Sequence, residues 1–193
     1  MNLLIDSSTN YLFLAIENKG EYKHFIRYGK CDHSETMVDY LDEFIKENGF
    51  TYNDIENVYI GRGPGSYTGL RIAGVIGKVL TYIKKIKFYS FSSLDVSLAS
   101  VYGIDGKYIS ITPAKKNYSY AKIFEFNNGK LTVIEDDYFV ENSALEAYKD
   151  YQVLEINEDL LNTDKIAKEI LINKLYEEED SLEYSPNYLR SGI

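Results

Sequence analysis

A mixed α/β fold is what this sequence predicts, and three patterns carry the prediction. Short apolar runs bounded by turn residues open the chain, as in Asn2-Leu3-Leu4-Ile5-Asp6 and Tyr11-Leu12-Phe13-Leu14-Ala15-Ile16. Gly61-Arg62-Gly63-Pro64-Gly65-Ser66-Tyr67-Thr68-Gly69-Leu70-Arg71 then places four glycines and a proline between an apolar run and a long helical pattern. Beyond residue 101 the letters change to strand-like segments, followed by a last helical stripe.

Taken in order, Asn2–Asp6 and Tyr11–Ile16 read as buried strands, and Tyr22–Tyr28 completes an antiparallel meander turned at Asn18-Lys19-Gly20. Asp32-His33-Ser34-Glu35 reads as a capping box at the start of a helix. Met37, Val38, Leu41, Phe44 and Ile45 form its apolar stripe, and Asn48-Gly49 ends it. Val58-Tyr59-Ile60 is a short strand, and Thr68–Lys85 a second helix with two small or apolar stripes. Ile72, Ile76, Val79 and Ile83 make one; Gly69, Ala73, Gly77 and Leu80 make the other, with Gly74 between. Each interior glycine costs a helix about 1 kcal/mol against alanine, which close approach of another backbone offsets. The pattern fits burial on two sides, the second within the monomer or against another chain.

Lys87–Phe91 reads as a strand and Ser92–Val101 as a short helix. Strands follow at Lys107–Thr112, Ser119–Phe126, Lys130–Glu135, Tyr138–Val140 and Gln152–Ile156, with a hairpin turn at Asn127-Asn128-Gly129. Thr163 opens a helix with Ile166, Ile170, Leu171 and Leu175 on its stripe. The run Glu177-Glu178-Glu179-Asp180 opposes the dipole at that helix's end, so a frayed, solvated end is expected there.

The 193 residues provide for a sizeable core in one domain or two small ones. A net charge of −9, from 21 basic and 30 acidic residues, argues against a broad grip on nucleic acid by this chain alone. The single cysteine, Cys31, cannot form an internal disulfide. No apolar run approaches membrane-spanning length and no basic leader opens the sequence, so a cytoplasmic protein with no membrane role is expected.

Strand, glycine turn and helix start form a place where free N–H groups can hold an anion. Yet a Walker loop needs a Lys that is missing, and the third glycine of a dinucleotide fingerprint is replaced by Thr68. The stretch instead resembles the GPGS(F/Y)TGLR signature of the bacterial TsaB (YeaZ) family. His33-Ser34-Glu35 resembles the HSE of its first helix, and Pro186-Asn187-Tyr188-Leu189-Arg190 its closing PxYLR. The resemblance implies the two-lobed actin/Hsp70/sugar-kinase-like (ASKHA) α/β fold with a reduced second lobe, divided here as 1–101 and 102–193. It also implies a non-catalytic partner in making threonylcarbamoyladenosine in tRNA. Such a protein pairs with a TsaD-like transferase, is joined by a TsaE-like ATPase and meets tRNA only through the complex. Left without a partner, an apolar helix surface tends to be covered by self-association, so the chain alone is expected to form a homodimer through the two helices. Partner-interface candidates are then Met37 and Leu41 on the first helix, with Gly65, Ser66, Tyr67, Thr68, Gly69, Leu70, Arg71, Ala73, Gly74, Gly77 and Leu80 on the glycine loop and second helix.

Asp6, Ser7, Ser8 and Thr9 resemble the first phosphate motif of the same superfamily, and equally fit a turn satisfied by its own side chains. An ATPase or kinase acting alone is the alternative function, and it needs a second acid across the cleft. The matching segment reads Pro113-Ala114-Lys115-Lys116-Asn117-Tyr118, with Pro113 and Tyr118 where acids belong and two lysines on a loop. A metalloprotease needs paired histidines on one helix face, and His24 and His33 lie on different elements. No catalytic residue, metal or cofactor is therefore expected.

Overall fold

The computed structural model describes residues 1–29 and 33–189, without the side chains of His33 and Ser34. Cys31, the Asp32 cap and Arg190 lie outside the described residues. The first sheet contains β1 (Asn2–Asp6), β2 (Tyr11–Asn18), β3 (Glu21–Tyr28), β4 (Asn57–Gly61), β5 (Lys87–Phe91) and β10 (Glu177–Glu178), in the order β10-β5-β4-β1-β2-β3. β1 pairs antiparallel with β2 and parallel with β4, which pairs parallel with β5.

Those central strands are covered on both faces, which is why they read as continuous apolar runs. On one face Leu3, Ile5, Val58 and Ile60 pack with Met37, Leu41, Phe44 and Ile45 of α1 (His33–Glu47) and Ala73 of α2 (Tyr67–Lys84). On the other, Leu4, Phe13 and Phe91 meet Val96 and Ala99 of α3 (Asp95–Ser100) and Ile166 and Ile170 of α5 (Lys165–Ile172).

The second sheet holds β6 (Gly106–Lys115), β7 (Tyr118–Asn127), β8 (Lys130–Glu141) and β9 (Gln152–Glu155), in the order β8-β7-β6-β9. The expected hairpin turn is there, with positive φ at both Asn128 and Gly129 and the Asp105 carboxylate accepting from both of their N–H groups. The two strands expected at Lys130–Glu135 and Tyr138–Val140 are one. Its register shifts against β7 leave Asp136 and Asp137 opposite Lys122.

After β9 the chain returns to the first sheet through α4 (Glu158–Leu161), α5 and β10, so residues expected in the second lobe complete the core of the first. The acidic run is not a frayed helix end. Glu177 and Glu178 pair antiparallel with Ser90 and Tyr89, and salt bridges join Arg62 to Glu177 and Lys87 to Glu178. An open sheet edge recruits backbone regardless of side chain, and here cations meet the acids. Among the described residues no helix is long and apolar enough to cross a membrane.

Candidate functional site: a glycine seam, an exposed helix face and the cleft between the sheets

β1 and β4 run parallel and end side by side, so the turn Ser7–Asn10 faces the glycine loop. Gly61 carries no side chain because a Cβ there would fall on the Asp6 carboxylate. At Gly65 and Gly69 it would fall on the carbonyls of Ser8 and Ser7. That closeness lets the two segments bond directly. Ser66 N–H donates to the Ser8 carbonyl at 2.6 Å, and the Ser7 hydroxyl donates to the Gly69 carbonyl at 2.9 Å. Ser66 also caps α2, accepting from Gly69 N–H at 3.3 Å.

Asp6 is enclosed in this seam. Its Oδ1 accepts from the Ser8 N–H at 2.9 Å and the Ser8 hydroxyl at 2.7 Å, and its Oδ2 from the Ser93 hydroxyl at 2.5 Å. Ser93 in turn accepts from Gly63 N–H at 3.0 Å. Burial raises the Asp6 pKa despite these bonds from Ser93 and Ser8. Thr9 accepts from Tyr11 N–H at 3.1 Å. A magnesium nucleotide at this turn would meet an Asp6 carboxylate whose two oxygens already accept from protein donors. The loop N–H groups of Gly63, Ser66 and Gly69 are given to Ser93, Ser8 and Ser66.

Helix α2 corrects the sequence reading of its two stripes. Met37, Leu41, Leu70 and Ala73 are buried within this chain. Gly77 lies against Ile60 and Phe88 of the parent sheet, and Gly74 against the Tyr184 ring. Leu80, Ile72 and Ile76 are partly buried on the same core as α1. The small stripe thus faces inward, because bulky strand side chains occupy the space its own side chains would need. Val79 and Ile83 of the other stripe, where burial was expected, are 49% and 70% exposed, and Tyr67, Val75 and Tyr82 lie open beside them. Ser66, Thr68 and Arg71 are exposed and Gly65 partly so. Arg71 donates to the Tyr67 hydroxyl at 2.7 Å.

A second contact, which the sequence reading missed, joins the two sheets. Lys122 Nζ on β7 lies 2.6 Å from Asp95 Oδ1, 3.1 Å from Asp136 Oδ1 and 3.7 Å from Asp137 Oδ1. The side chains of Lys122, Asp95 and Asp137 are 8%, 10% and 7% exposed. Burial would favour the neutral amine, but the charges of Asp95 and Asp137 outweigh it and hold Lys122 protonated. Burial pushes the Asp95 carboxyl up to about 6 against the pull of Lys122. Ser92 donates to Asp137 at 2.8 Å. The motif Pro186–Leu189 straps this region to the seam: Asn187 N–H donates to the Arg62 carbonyl at 2.7 Å, and the Tyr188 ring stands 5.2 Å from Tyr67. One signal for the cluster was present in the sequence, a lysine between the apolar neighbours Tyr120, Ala121, Ile123 and Phe124 of one strand.

Between the sheets lies a cleft of about 640 Å3, bounded by Ser8–Tyr11, Gly65–Tyr67, Ile111–Ala114 and Tyr188 among others. The departing segment Pro113–Tyr118 is the β6–β7 hairpin rather than a free loop, with Lys115 over the Tyr118 and Phe139 rings. His24 hydrogen-bonds Asp164 at 2.6 Å and Asn162 at 3.2 Å. Among the described residues no cluster of His, Cys, Asp or Glu is arranged to hold a metal ion.

Two sheets around a cleft, with a phosphate-motif turn at the end of the first strand, define a two-lobed α/β protein of the ASKHA type. The crystal structure of a Pseudomonas aeruginosa protein described by its similarity to the peptidase YeaZ superposes with a TM-score of 0.76 at 16% identity, covering 98% of this chain and 99% of that one. A second structure, YeaZ from the same organism, matches equally well, with a TM-score of 0.76 over 97% of this chain. A family model for TsaD, the tRNA N6-adenosine threonylcarbamoyltransferase, matches residues 29–183. The chain is 27% identical to the Bacillus subtilis tRNA threonylcarbamoyladenosine biosynthesis protein TsaB over 136 residues, 70% of this chain and 59% of that protein. It is 28% identical to Haemophilus influenzae TsaB over 92 residues, 48% of this chain and 39% of that protein. The chain therefore belongs to the family that this model describes, and TsaB proteins are among its relatives. It spans well under two thirds of the length of those two relatives.

Proposed function

We propose that this chain is a non-catalytic scaffold and activator in tRNA threonylcarbamoyladenosine synthesis, docking a TsaD-like transferase through the exposed face of α2 and the adjoining face of α1. The observation that carries the reading is that face. Tyr67, Val75, Val79, Tyr82 and Ile83, with Val38 on α1, leave large apolar side chains in water, and apolar surface of this kind marks association sites. Charge adds direction. The sequence of α2 carries Arg71, Lys78 and Lys84 with no acid, whereas α1 carries Glu35, Asp39, Asp42, Glu43 and Glu47 against Lys46.

In this reading Ser66, Tyr67, Thr68 and Arg71 touch the partner. Met37, Leu41, Gly65, Gly69, Leu70, Ala73, Gly74, Gly77 and Leu80 act from beneath, by setting the two helices on the sheet. A TsaE-like ATPase joins the complex in the cytoplasm, and tRNA meets this chain only through it. Alone, a second copy covers the face, with basic α2 against acidic α1 about a two-fold axis. The closed surroundings of Asp6 weigh against an ATPase acting by itself.

The test is calorimetric titration of a TsaD-like transferase from the same organism into wild type and Val79→Asp. A buried charge at an interface costs enough to weaken binding roughly ten- to a hundredfold, while the free fold is unaffected. Equal affinity of a folded Val79→Asp would remove α2 from the interface.

A further inference from the structure

We propose that the docking surface continues past the far flank of α2 onto residues 184–188, where a hollow takes an Asp or Glu carboxylate of the transferase. The inference rests on the docking reading above, and names the group that this flank recognises in the partner.

Position comes first. The hollow, of about 380 Å3, lies between α2 and the segment that follows β10. Tyr67, Arg71, Gly74 and Lys78 line it at successive turns of the helix, and Tyr184 and Tyr188 face them. Around the helix axis these residues fall opposite Ile72, Ile76 and Leu80, which pack on the core shared with α1. The exposed side chains of Val75, Val79 and Tyr82 lie between the two flanks. A partner that covers that apolar face thus has α1 on one side and the hollow on the other.

Charge says what fills it. Arg71 and Lys78 line the hollow, and among the described residues lining it none is Asp or Glu. Lys46, Arg62, Lys87, Lys107 and Lys122 each form a salt bridge with a carboxylate of this chain. Among the described residues Arg71 and Lys78 form none, although the chain carries 30 acids to 21 bases. Tyrosines hold them instead. Arg71 donates to the Tyr67 hydroxyl at 2.7 Å, and Lys78 Nζ stands 5.7 Å from the centre of the Tyr184 ring. A ring orients a cation without neutralising it, so both charges stay available to an acid.

The walls are also set in advance. Tyr184 is 6% exposed, with its ring where a Cβ on Gly74 would come within 2.9 Å. Asn187 N–H ties the segment to the Arg62 carbonyl, and Tyr188 packs on Tyr67. Cations already held in place lose little freedom on pairing, which removes much of the cost that makes surface ion pairs weak. Since the hollow adjoins the face the partner covers, the anion that reaches it is a side chain of that partner, and hence a carboxylate.

The TsaD-like transferase of the same organism is titrated by calorimetry into the full chain carrying Lys78→Gln, Arg71→Gln or both. Each single change is expected to weaken binding roughly fourfold and the pair more than about tenfold, with a smaller deficit at high salt. Lys78→Arg keeps the charge and should bind as wild type does. So should Lys116→Gln, which makes the same change in net charge at an exposed site on the β6–β7 hairpin. A double variant as tight as wild type, with Val79→Asp weakened, overturns the hollow and leaves the α2 reading standing. Equal affinity in all of them, Val79→Asp included, removes both. A loss as large in Lys116→Gln, or a deficit that salt leaves unchanged, also overturns the proposal. So does saturable binding of inorganic phosphate to the chain alone that the double variant abolishes, because the hollow would then serve a free anion.

Discussion

The glycine seam and the Lys122 cluster both close one part of the chain upon another, by opposite means. At the seam, backbones approach because Gly61, Gly65 and Gly69 offer no side chain, and the bonds use backbone groups and serine hydroxyls. At the cluster, the sheets are joined by a buried lysine among carboxylates. One contact is steric and the other electrostatic. Their failures should therefore differ in size and in response to pH.

Lys122→Met gives the largest expected effect. It strands Asp95 and Asp137 in an apolar setting, and removing one partner of a buried pair costs about 3–5 kcal/mol. For a chain of this size that is a fall of roughly 10 °C in Tm. Because protonation relieves a stranded carboxylate, thermal unfolding should show a smaller deficit at pH 5 than at pH 7. A loss under about 1 kcal/mol, or one equal at both pH values, would mean that the cluster does not hold the sheets together by charge.

Gly69→Val comes next. Its side chain would overlap the Ser7 carbonyl, and overpacking of this kind costs about 1–3 kcal/mol. The deficit in chemical denaturation should be the same at pH 5 and pH 7. The neighbouring exposed Thr68→Ala should stay within about 0.5 kcal/mol of wild type. A Gly69→Val protein as stable as Thr68→Ala would show that the seam opens without cost.

The two contacts also differ in how they are written in the letters. Glycine is the residue of positive φ and of close backbone approach, so four of them around Pro64 are enough to announce such a place. Lys122, Asp95 and Asp137 are ordinary residues, and they become a cluster when α3 and the β8 register shifts bring them together. Strands β1 to β5 of the first sheet and both long helices were legible because apolar period and turn residues agree there. The orientation of α2 was not. Periodicity assigns residues to a shared face, but both of its faces are apolar or small, and the bulk of Ile60 and Phe88 decides which turns inward. Nor was β10, since Glu177 and Glu178 join the sheet edge through backbone groups that carry no sequence signal.

Asp95→Asn gives the sharpest separation of the two contacts. Asparagine keeps the shape and an acceptor for Lys122, which retains Asp136 and Asp137 as partners. What should change is the pH dependence. Burial raises the Asp95 carboxyl from its ordinary 3.8 to about 6 in the folded chain. Between those values the folded state holds a proton that the unfolded state has released, so this group's contribution to stability is full below about 4 and declines as pH rises to about 6. Asp6 and Asp137 are also raised by burial and add slopes of the same sign in both proteins. Subtracting the two denaturation profiles isolates Asp95: the stability of wild type relative to Asp95→Asn should fall across this window and level off above it. A flat difference would place the folded carboxyl near its ordinary value, and a rising one would mean that Lys122 outweighs burial and stabilises the carboxylate.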